Sequence, residues 1–386
     1  MGFRRKVRKL LASACMLMML GNTSAGEGIT VESRNVSLPY GQISYPVIQG
    51  MTDEKLQDEI NERIQADLKV SEAIDQMVLS QREGRSWKME WTGGLLGNGV
   101  FSAKINIIRQ QDGVFDQNEQ YGCNIDMMTG HEIALEDLLT EEKARQATEE
   151  YLEYDVAPEL SPHLLNAELV PLPETFLLEQ TGITFLYPRE KLSTLRNRAG
   201  EVKIGWNRLN DWLDMQENSI PERIGVSEML ELTEDSASKI RQMTKEGAFP
   251  DVPMRIGDRV KELTDQYQML YDPDIYEGGR LFYLEGGCFR GVLLLTDYLS
   301  ETWDESIVQG IRMDEGCAWG LVIGQTEQEQ WRNVLGAPIT TEQVDAEKAE
   351  AWRSETGERD YYQWDGHMLM LQSDESGKLC SMILME

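Results

Sequence analysis

Ser44-Tyr45-Pro46-Val47-Ile48, running within a few residues into Thr52-Asp53-Glu54-Lys55-Leu56-Gln57-Asp58-Glu59-Ile60-Asn61, sets a strand beside a helix and decides the fold class. The first segment is apolar and β-branched, which suits a half-buried strand. In the second, Leu56, Ile60, Ile64 and Leu68 recur every four residues behind acidic first-turn residues, so a helix is predicted over Thr52–Lys69 with Thr52 as its N-cap.

Working outward, strand signals dominate the first half of the chain. Val31–Val36 and Ile43–Ile48 flank a Leu38-Pro39-Tyr40-Gly41 turn. Trp87–Thr92 and Val100–Gln110 read as extended runs joined by Gly93-Gly94-Leu95-Leu96-Gly97-Asn98-Gly99, a wide hairpin connection. That glycine run precedes a strand and lacks the Lys-Ser/Thr ending of a phosphate cradle. Asn124–Met127 and Glu132–Leu135 make a second hairpin around Thr129-Gly130, followed by a helix over Glu136–Glu153. Thr175–Leu178 pairs with Gly182–Tyr187, and Glu201–Trp206 leads into a short Leu209–Leu213 helix. The pattern is strand-rich with interspersed helices, so the expectation is an α+β fold with antiparallel sheets and packed helices in two domains, the carboxyl-terminal one a tandem helix-plus-sheet repeat. The domains fall at 29–215 and 253–386. Residues 216–252, polar and holding Pro221, Gly225 and Pro250, read as a connector with one helix over Ser227–Thr244.

The second domain contains an internal repeat. Ile256-Gly257, with a helix through Leu263 and Tyr267, parallels Ile323-Gly324, with a helix through Trp331 and Leu335. Leu281-Phe282-Tyr283-Leu284-Glu285-Gly286-Gly287 parallels Tyr361-Tyr362-Gln363-Trp364-Asp365-Gly366, and each copy closes on an alternating strand, Ile307–Met313 and Leu379–Met385. A helix followed by three or four antiparallel strands, twice over, builds one continuous sheet.

Ahead of all this stands a basic segment, Phe3-Arg4-Arg5-Lys6-Val7-Arg8-Lys9, then an apolar run from Leu10 to Leu20, then small residues with Thr23 and Ala25 at the positions read before a cut. That order is the signature of a cleaved signal peptide over residues 1–25. The run is shorter than the roughly 20 apolar residues a membrane span needs. Cys15 lies near the start of the run, which argues against lipid attachment. Removing residues 1–25 takes five of the 37 basic residues and none of the 67 acidic ones, leaving 32 against 67 and a formal charge of −35. Such a chain repels nucleic acid and anionic membranes and favours cationic partners. Four cysteines remain, Cys123, Cys288, Cys317 and Cys380, without any CxxC spacing. Both disulfides and buried free thiols stay open.

Catalytic signatures are absent from the sequence. His131, His163 and His367 stand isolated, and neither HExxH nor GxSxG occurs. Asp272-Pro273-Asp274 begins like a calcium loop, but Glu277 occupies the position that needs glycine. No catalytic, metal or cofactor residue is assigned. Aromatic residues crowd the last third instead, among them Tyr283, Trp303, Trp319 and Trp331. Tyr362 and Trp364 should share one strand face and Tyr361 the other. Trp352, Tyr361 and Trp364 are the candidate binding residues, because aromatic anchors dominate interfaces and stack on sugars.

The strand-to-helix opening at 44–61 resembles the start of a family of bacterial extracellular domains, as do Asn124–Gly130 running into Ile133–Leu139 and the closing stretch Phe176–Leu178, Gly182–Phe185, Tyr187-Pro188 and Val202–Ile204. These are the RsiV/PdaC-type domains, found in lysozyme-recognising anti-sigma factors and as the non-catalytic part of peptidoglycan deacetylases. The chain lacks the sigma-binding segment and uncleaved span of the first plan, and the Asp-Asp and His-x-x-x-His metal residues of the second. Ile323-Gly324 with Leu335-Gly336-Ala337-Pro338 resembles the tandem domains of beta-lactamase-inhibitor-like proteins and small outer-membrane-assembly lipoproteins. Together the resemblances imply a secreted or envelope-associated, non-enzymatic binding protein whose partner is an extracellular protein, such as lysozyme, or a cell-wall glycan. A carboxylate-based cell-wall hydrolase or esterase and an envelope-complex scaffold are the alternatives. Expression in a secreting host should give a product whose intact mass begins at Gly26; a product retaining Met1 would remove the signal-peptide reading.

Overall fold

A computed structural model describes residues 28–79, 84–139, 149, 175–189, 199–261, 263, 274–283, 291–297, 302 and 305–386. The signal segment, most of the helix expected over 136–153, and His163, Cys288 and Trp303 lie outside those residues. The fold is α+β. It divides into two compact units, one drawn from residues up to 179 with 183–202 and 212–224, the other from 180–182, 203–211 and 225–386.

The amino-terminal unit is built on six strands in sequential order: β1 (Thr30–Leu38), β2 (Gly41–Gln49), β3 (Arg85–Gly97), β4 (Val100–Gln111), β5 (Val114–Asp126) and β6 (His131–Glu132). All neighbours are antiparallel except β2 and β3, which run parallel because α1 (Glu54–Asp67) and α2 (Val70–Leu79) cross over between them. The α1 N-cap is Asp53 rather than Thr52: its Oδ1 accepts from Leu56 N at 3.0 Å. Ile60, Ile64 and Leu68 are fully buried against Ile43, Ile48, Met89, Phe101 and Ile105. Each such side chain contributes about 1.5–3 kcal/mol of transfer free energy.

The glycine run at 93–99 is not a wide loop. It belongs to β3, with a bulge between Gly93 and Leu95, and the turn is only Asn98-Gly99, both at positive φ (50° and 76°). Two positive-φ residues give the type I′ turn whose twist matches a hairpin. The glycines have another use. β7 (Thr175–Leu178) passes so close over this sheet that a Cβ on Gly94 would strike Leu178 O, and one on Gly122 would strike Phe176 O. Ser102 and Asn124 then satisfy the buried β7 backbone from below: Leu178 N donates to Ser102 Oγ at 2.8 Å, and Asn124 Nδ2 donates to Phe176 O at 2.8 Å. β7 heads a three-stranded sheet with β8 (Gly182–Tyr187) and β9 (Gly200–Gly205). The chain continues through α3 (Trp206–Leu209) and α4 (Ile220–Arg223).

The single helix expected over Ser227–Thr244 is two, α5 (Val226–Leu230) and α6 (Ser236–Glu246). Between them Thr233 N donates to Ser236 Oγ at 3.0 Å, a local bond that competes with helix continuation. The backbone of Leu232 also lies against Gly320, where a Cβ would not fit.

In the carboxyl-terminal unit, β10 (Asp274–Tyr276), β11 (Gly279–Tyr283), β12 (Val292–Thr296) and β13 (Val308–Met313) form one antiparallel meander. A small ribbon follows, β14 (Cys317–Ala318) with β15 (Leu321–Val322), and then α7 (Gln328–Leu335). β16 (Thr340–Val344), α8 (Ala346–Trp352), β17 (Gly357–Trp364), β18 (His367–Ser373) and β19 (Leu379–Met385) complete a second meander. β13 pairs with β19, so all eight strands form one sheet in the order β10-β11-β12-β13-β19-β18-β17-β16. Its first face is covered by α6 and α7: Ile240, Met243, Trp331 and Leu335 bury Phe282, Leu294, Ile311, Leu371, Met382 and Leu384. Its second face carries a smaller cluster of Tyr276, Leu281, Leu293, Leu295, Met370 and Ile383.

Replacing Gly122 by Ala should destabilise the chain by about 2 kcal/mol or more in urea unfolding, because the methyl group must displace β7. Gly113→Ala meets open space at φ 78° and should cost only the conformational penalty of about 1 kcal/mol. Equal losses in the two variants would contradict the close approach of β7.

Candidate interaction face of the carboxyl-terminal sheet

Strand alternation divides the three aromatic candidates. Tyr362 is buried on the first face, where its hydroxyl donates to Gly336 O at 3.2 Å. Trp364 stacks on it, with ring centroids 5.7 Å apart and planes 10° from parallel, and the Arg241 guanidinium lies 5.9 Å from its ring. Tyr361 and Trp352 lie together on the second face, packed against its apolar cluster. The trio therefore does not share one surface.

Trp352 closes α8 and is held on several sides. Its Nε1 donates to Glu277 Oε2 at 3.0 Å, its ring is tilted 59° to Tyr276 at 5.2 Å, and the Arg359 guanidinium sits 4.6 Å from its centroid. Its carbonyl accepts from Arg312 Nη1 at 2.8 Å. Tyr361 donates its hydroxyl to Glu342 Oε2 at 2.6 Å, and Lys348 Nζ reaches Glu342 Oε1 at 2.6 Å. The Lys348 and Tyr361 bonds hold the Glu342 carboxyl below its ordinary range. Burial and the neighbouring carboxylate raise the Tyr361 phenol. Neither Trp352 nor Tyr361 is a loose surface aromatic; both are oriented in advance.

Sequence reasoning missed the methionines beside them. Met368 pairs across strands with Met385, and Met370 with Ile383, all pointing to the second face. The alternation His367-Met368-Leu369-Met370-Leu371 carries the signal, since it sends Leu369 and Leu371 to the first face and both methionines to the second. Met368, Met385 and Tyr361 remain partly exposed, and Tyr283 is 37% exposed on the same face. Methionine is flexible and polarizable, and such surfaces adapt to partners. Glu277 and Glu342 are carboxylates beside these residues.

Among the described residues no group of three or more His, Cys, Asp or Glu stands close enough to hold a metal ion. His131 is exposed, and His367 Nδ1 lies 3.0 Å from Lys245 O. Cys123, Cys317 and Cys380 are free thiols, and burial pushes Cys317 and Cys380 up to about 12, away from the thiolate form. Asp274 and Glu277 flank Tyr276 at a strand end, with Tyr276 buried.

No protein-family profile and no curated protein matches the chain. Among solved structures it is similar to a DUF3298 family member from Bacteroides fragilis, at 14% identity and a TM-score of 0.39, covering 53% of this chain and 100% of that one. It is also similar to a DUF3298 family protein from Pseudomonas aeruginosa, at 15% identity and a TM-score of 0.33, covering 53% of this chain and 92% of that one.

The second face is held in register by a carboxylate on the opposite side of β17. Asp360 is fully buried and accepts from Arg332 Nε and Nη2, both at 2.7 Å, from Thr341 Oγ1 at 2.6 Å and from Trp331 Nε1 at 3.0 Å. Burial alone raises its pKa, but the bonds from Arg332, Thr341 and Trp331 outweigh that and leave it lowered. A carboxyl lowered on folding contributes stability above its unfolded pKa, and that contribution is lost as the pH falls through the folded value. Asp360→Asn should therefore cost about 1–3 kcal/mol at neutral pH, and the gap to the parent should close as the solution is acidified below about pH 4. A gap that widens with acid would contradict the network.

Proposed function

We propose that the chain is an exported, non-enzymatic binding protein that engages a cationic extracellular protein, such as lysozyme, through the second face of its eight-stranded sheet. The observation that carries this reading is the patch of Met368, Met385, Tyr361 and Tyr283 beside Glu277 and Glu342. Apolar anchors at the centre of an interface supply most of its affinity, and charges around it steer the encounter. Formal charge points the same way, since acidic side chains outnumber basic ones 67 to 37. Trp352 and Tyr361 serve as the oriented part of the surface, while Trp364 acts from within the first-face core. Export rests on the amino-terminal segment; among the described residues no helix is long and apolar enough to cross a membrane.

The same reading takes the carboxyl-terminal unit as two copies of one helix-plus-sheet element. Gly257 and Gly324 both sit at positive φ, 95° and 81°. Gly257 N donates to Val308 O at 2.8 Å, and Gly324 N donates to Leu379 O at 2.7 Å, in each case the first residue of the fourth strand of its meander. Val308 N returns a bond to Asp258 O, and Leu379 N returns one to Thr326 O. The two glycine bonds match, while the return bonds go to carbonyls one residue beyond Gly257 and two residues beyond Gly324.

Binding to immobilised lysozyme should weaken steeply as salt rises from low to physiological strength. Met368→Ser should reduce affinity about tenfold or more at fixed salt, the loss of one anchor. A complex insensitive to both salt and Met368→Ser, or no complex at all, would remove this partner class.

A further inference from the structure

A row of buried polar groups crosses the second face beside the methionine patch. Arg359, Gln372 and Ser381 are successive cross-strand neighbours on β17, β18 and β19, at 1%, 0% and 1% exposure. Arg312, buried on β13, points to the same face. The loop after α8 is tied down over this row at two points: Arg312 Nη1 donates to Trp352 O, and Gln372 Nε2 donates to Glu355 O at 2.5 Å. Ser354 lies between those two ties.

The hydrogen bonds and charges along this row do not balance. Arg312 is matched by Asp314, 2.7 Å from its Nε. Among the described residues Arg359 has no such partner. Its Nε and Nη2 converge on a single neutral acceptor, Gln372 Oε1, at 3.1 and 2.7 Å, and its remaining neighbours are the Trp352 ring and the Tyr361 hydroxyl. Glu342, a carboxylate in its field, is already bound by Lys348 and Tyr361. A guanidinium buried without an anion is strongly unfavourable, because its lost hydration is not repaid. Two hydroxyl groups add to the imbalance: Ser381 Oγ and Ser354 Oγ are both buried with no hydrogen-bond partner. Hydroxyls and a guanidinium are donors, and what this set lacks is an acceptor that carries one negative charge.

We propose that the buried polar row beneath residues 352–355 binds a small monovalent anion of the halide class, held by Arg359 with Ser381 and Ser354. One uncompensated positive charge calls for one negative charge. The near-complete burial of Arg359, Gln372 and Ser381 leaves no path for an extended ligand such as a peptide carboxylate. Occupancy ties the loop after Trp352 to β17 through β19, and so sets the position of Trp352 beside the interaction face.

The full mature chain crystallised in sodium bromide tests this directly. The expected result is one ordered anomalous peak within hydrogen-bonding range of Ser381 Oγ and the Arg359 guanidinium. In solution, the melting temperature should rise with chloride or bromide beyond its rise in gluconate of equal ionic strength. Ser381→Ala should shift the halide midpoint upward about tenfold, the loss of one charge-assisted bond, while Ser376→Ala at the exposed β18–β19 turn leaves it in place. Ordered water at both hydroxyls without anomalous signal would overturn the proposal. So would equal stabilisation by gluconate, or a halide midpoint unchanged in Ser381→Ala.

Discussion

Pairing of Gly310 through Met313 with Met382 through Met385 joins two four-stranded meanders along their last strands. Without that seam each meander would end in an open strand, with unpaired donors and acceptors that invite association. The seam is narrow: a Cβ on Gly310 would collide with the Met385 side chain and approach Leu384 O, so the glycine is what lets the two strands meet. Once joined, the strands share one alternation, and every side chain from β10 to β16 is assigned to one of two faces. The core, the aromatic placement and the polar row all follow from that assignment.

The two faces then do different work. The first is an apolar surface sealed by helices, where Trp331 and Leu335 of α7 meet Tyr362 and Leu371. Its one buried carboxylate, Asp360, is saturated with donors and pins α7 to the sheet edge. The second face is only partly covered. α8 crosses it and is held through Lys348, Arg312 and the Arg359–Trp352 stack. Beyond α8 the face offers methionine and tyrosine. Rigid aromatic groups beside flexible thioethers suit recognition of a protein surface, because orientation is set in advance while the fit remains adjustable.

Much of this was legible in the residues and some was not. The period of four in Leu56, Ile60, Ile64 and Leu68 located α1 within two residues at each end, because burial of that stripe dominates every other signal. Alternation alone placed Tyr362 and Trp364 opposite Tyr361. The glycine-rich stretch at 93–99 misled, since glycine marks turns in general, whereas here Gly94 is required by a strand packed across the sheet from β7. That contact is long-range and has no local signature. α5 and α6 likewise merged into one expected helix: the break carries a local Thr233–Ser236 bond, but the packing of the Leu232 backbone against Gly320 lies far along the chain. Trp352 and Tyr361 are candidates as aromatic anchors. Trp352 is fixed by Glu277 in the β10–β11 turn and Arg312 on β13, and Tyr361 by Glu342 on β16; no sequence spacing reveals those bonds.

The central claim is that the second face of the eight-stranded sheet meets the partner. Methyl-labelled methionine resonances report on it directly, because methionines mark both faces. On titration with lysozyme, the Met368 and Met385 methyl signals should shift or broaden together while Met382, buried on the first face, stays in place. Perturbation confined to Met127 and Met128 of the amino-terminal unit, with Met368 and Met385 unchanged, would contradict the account.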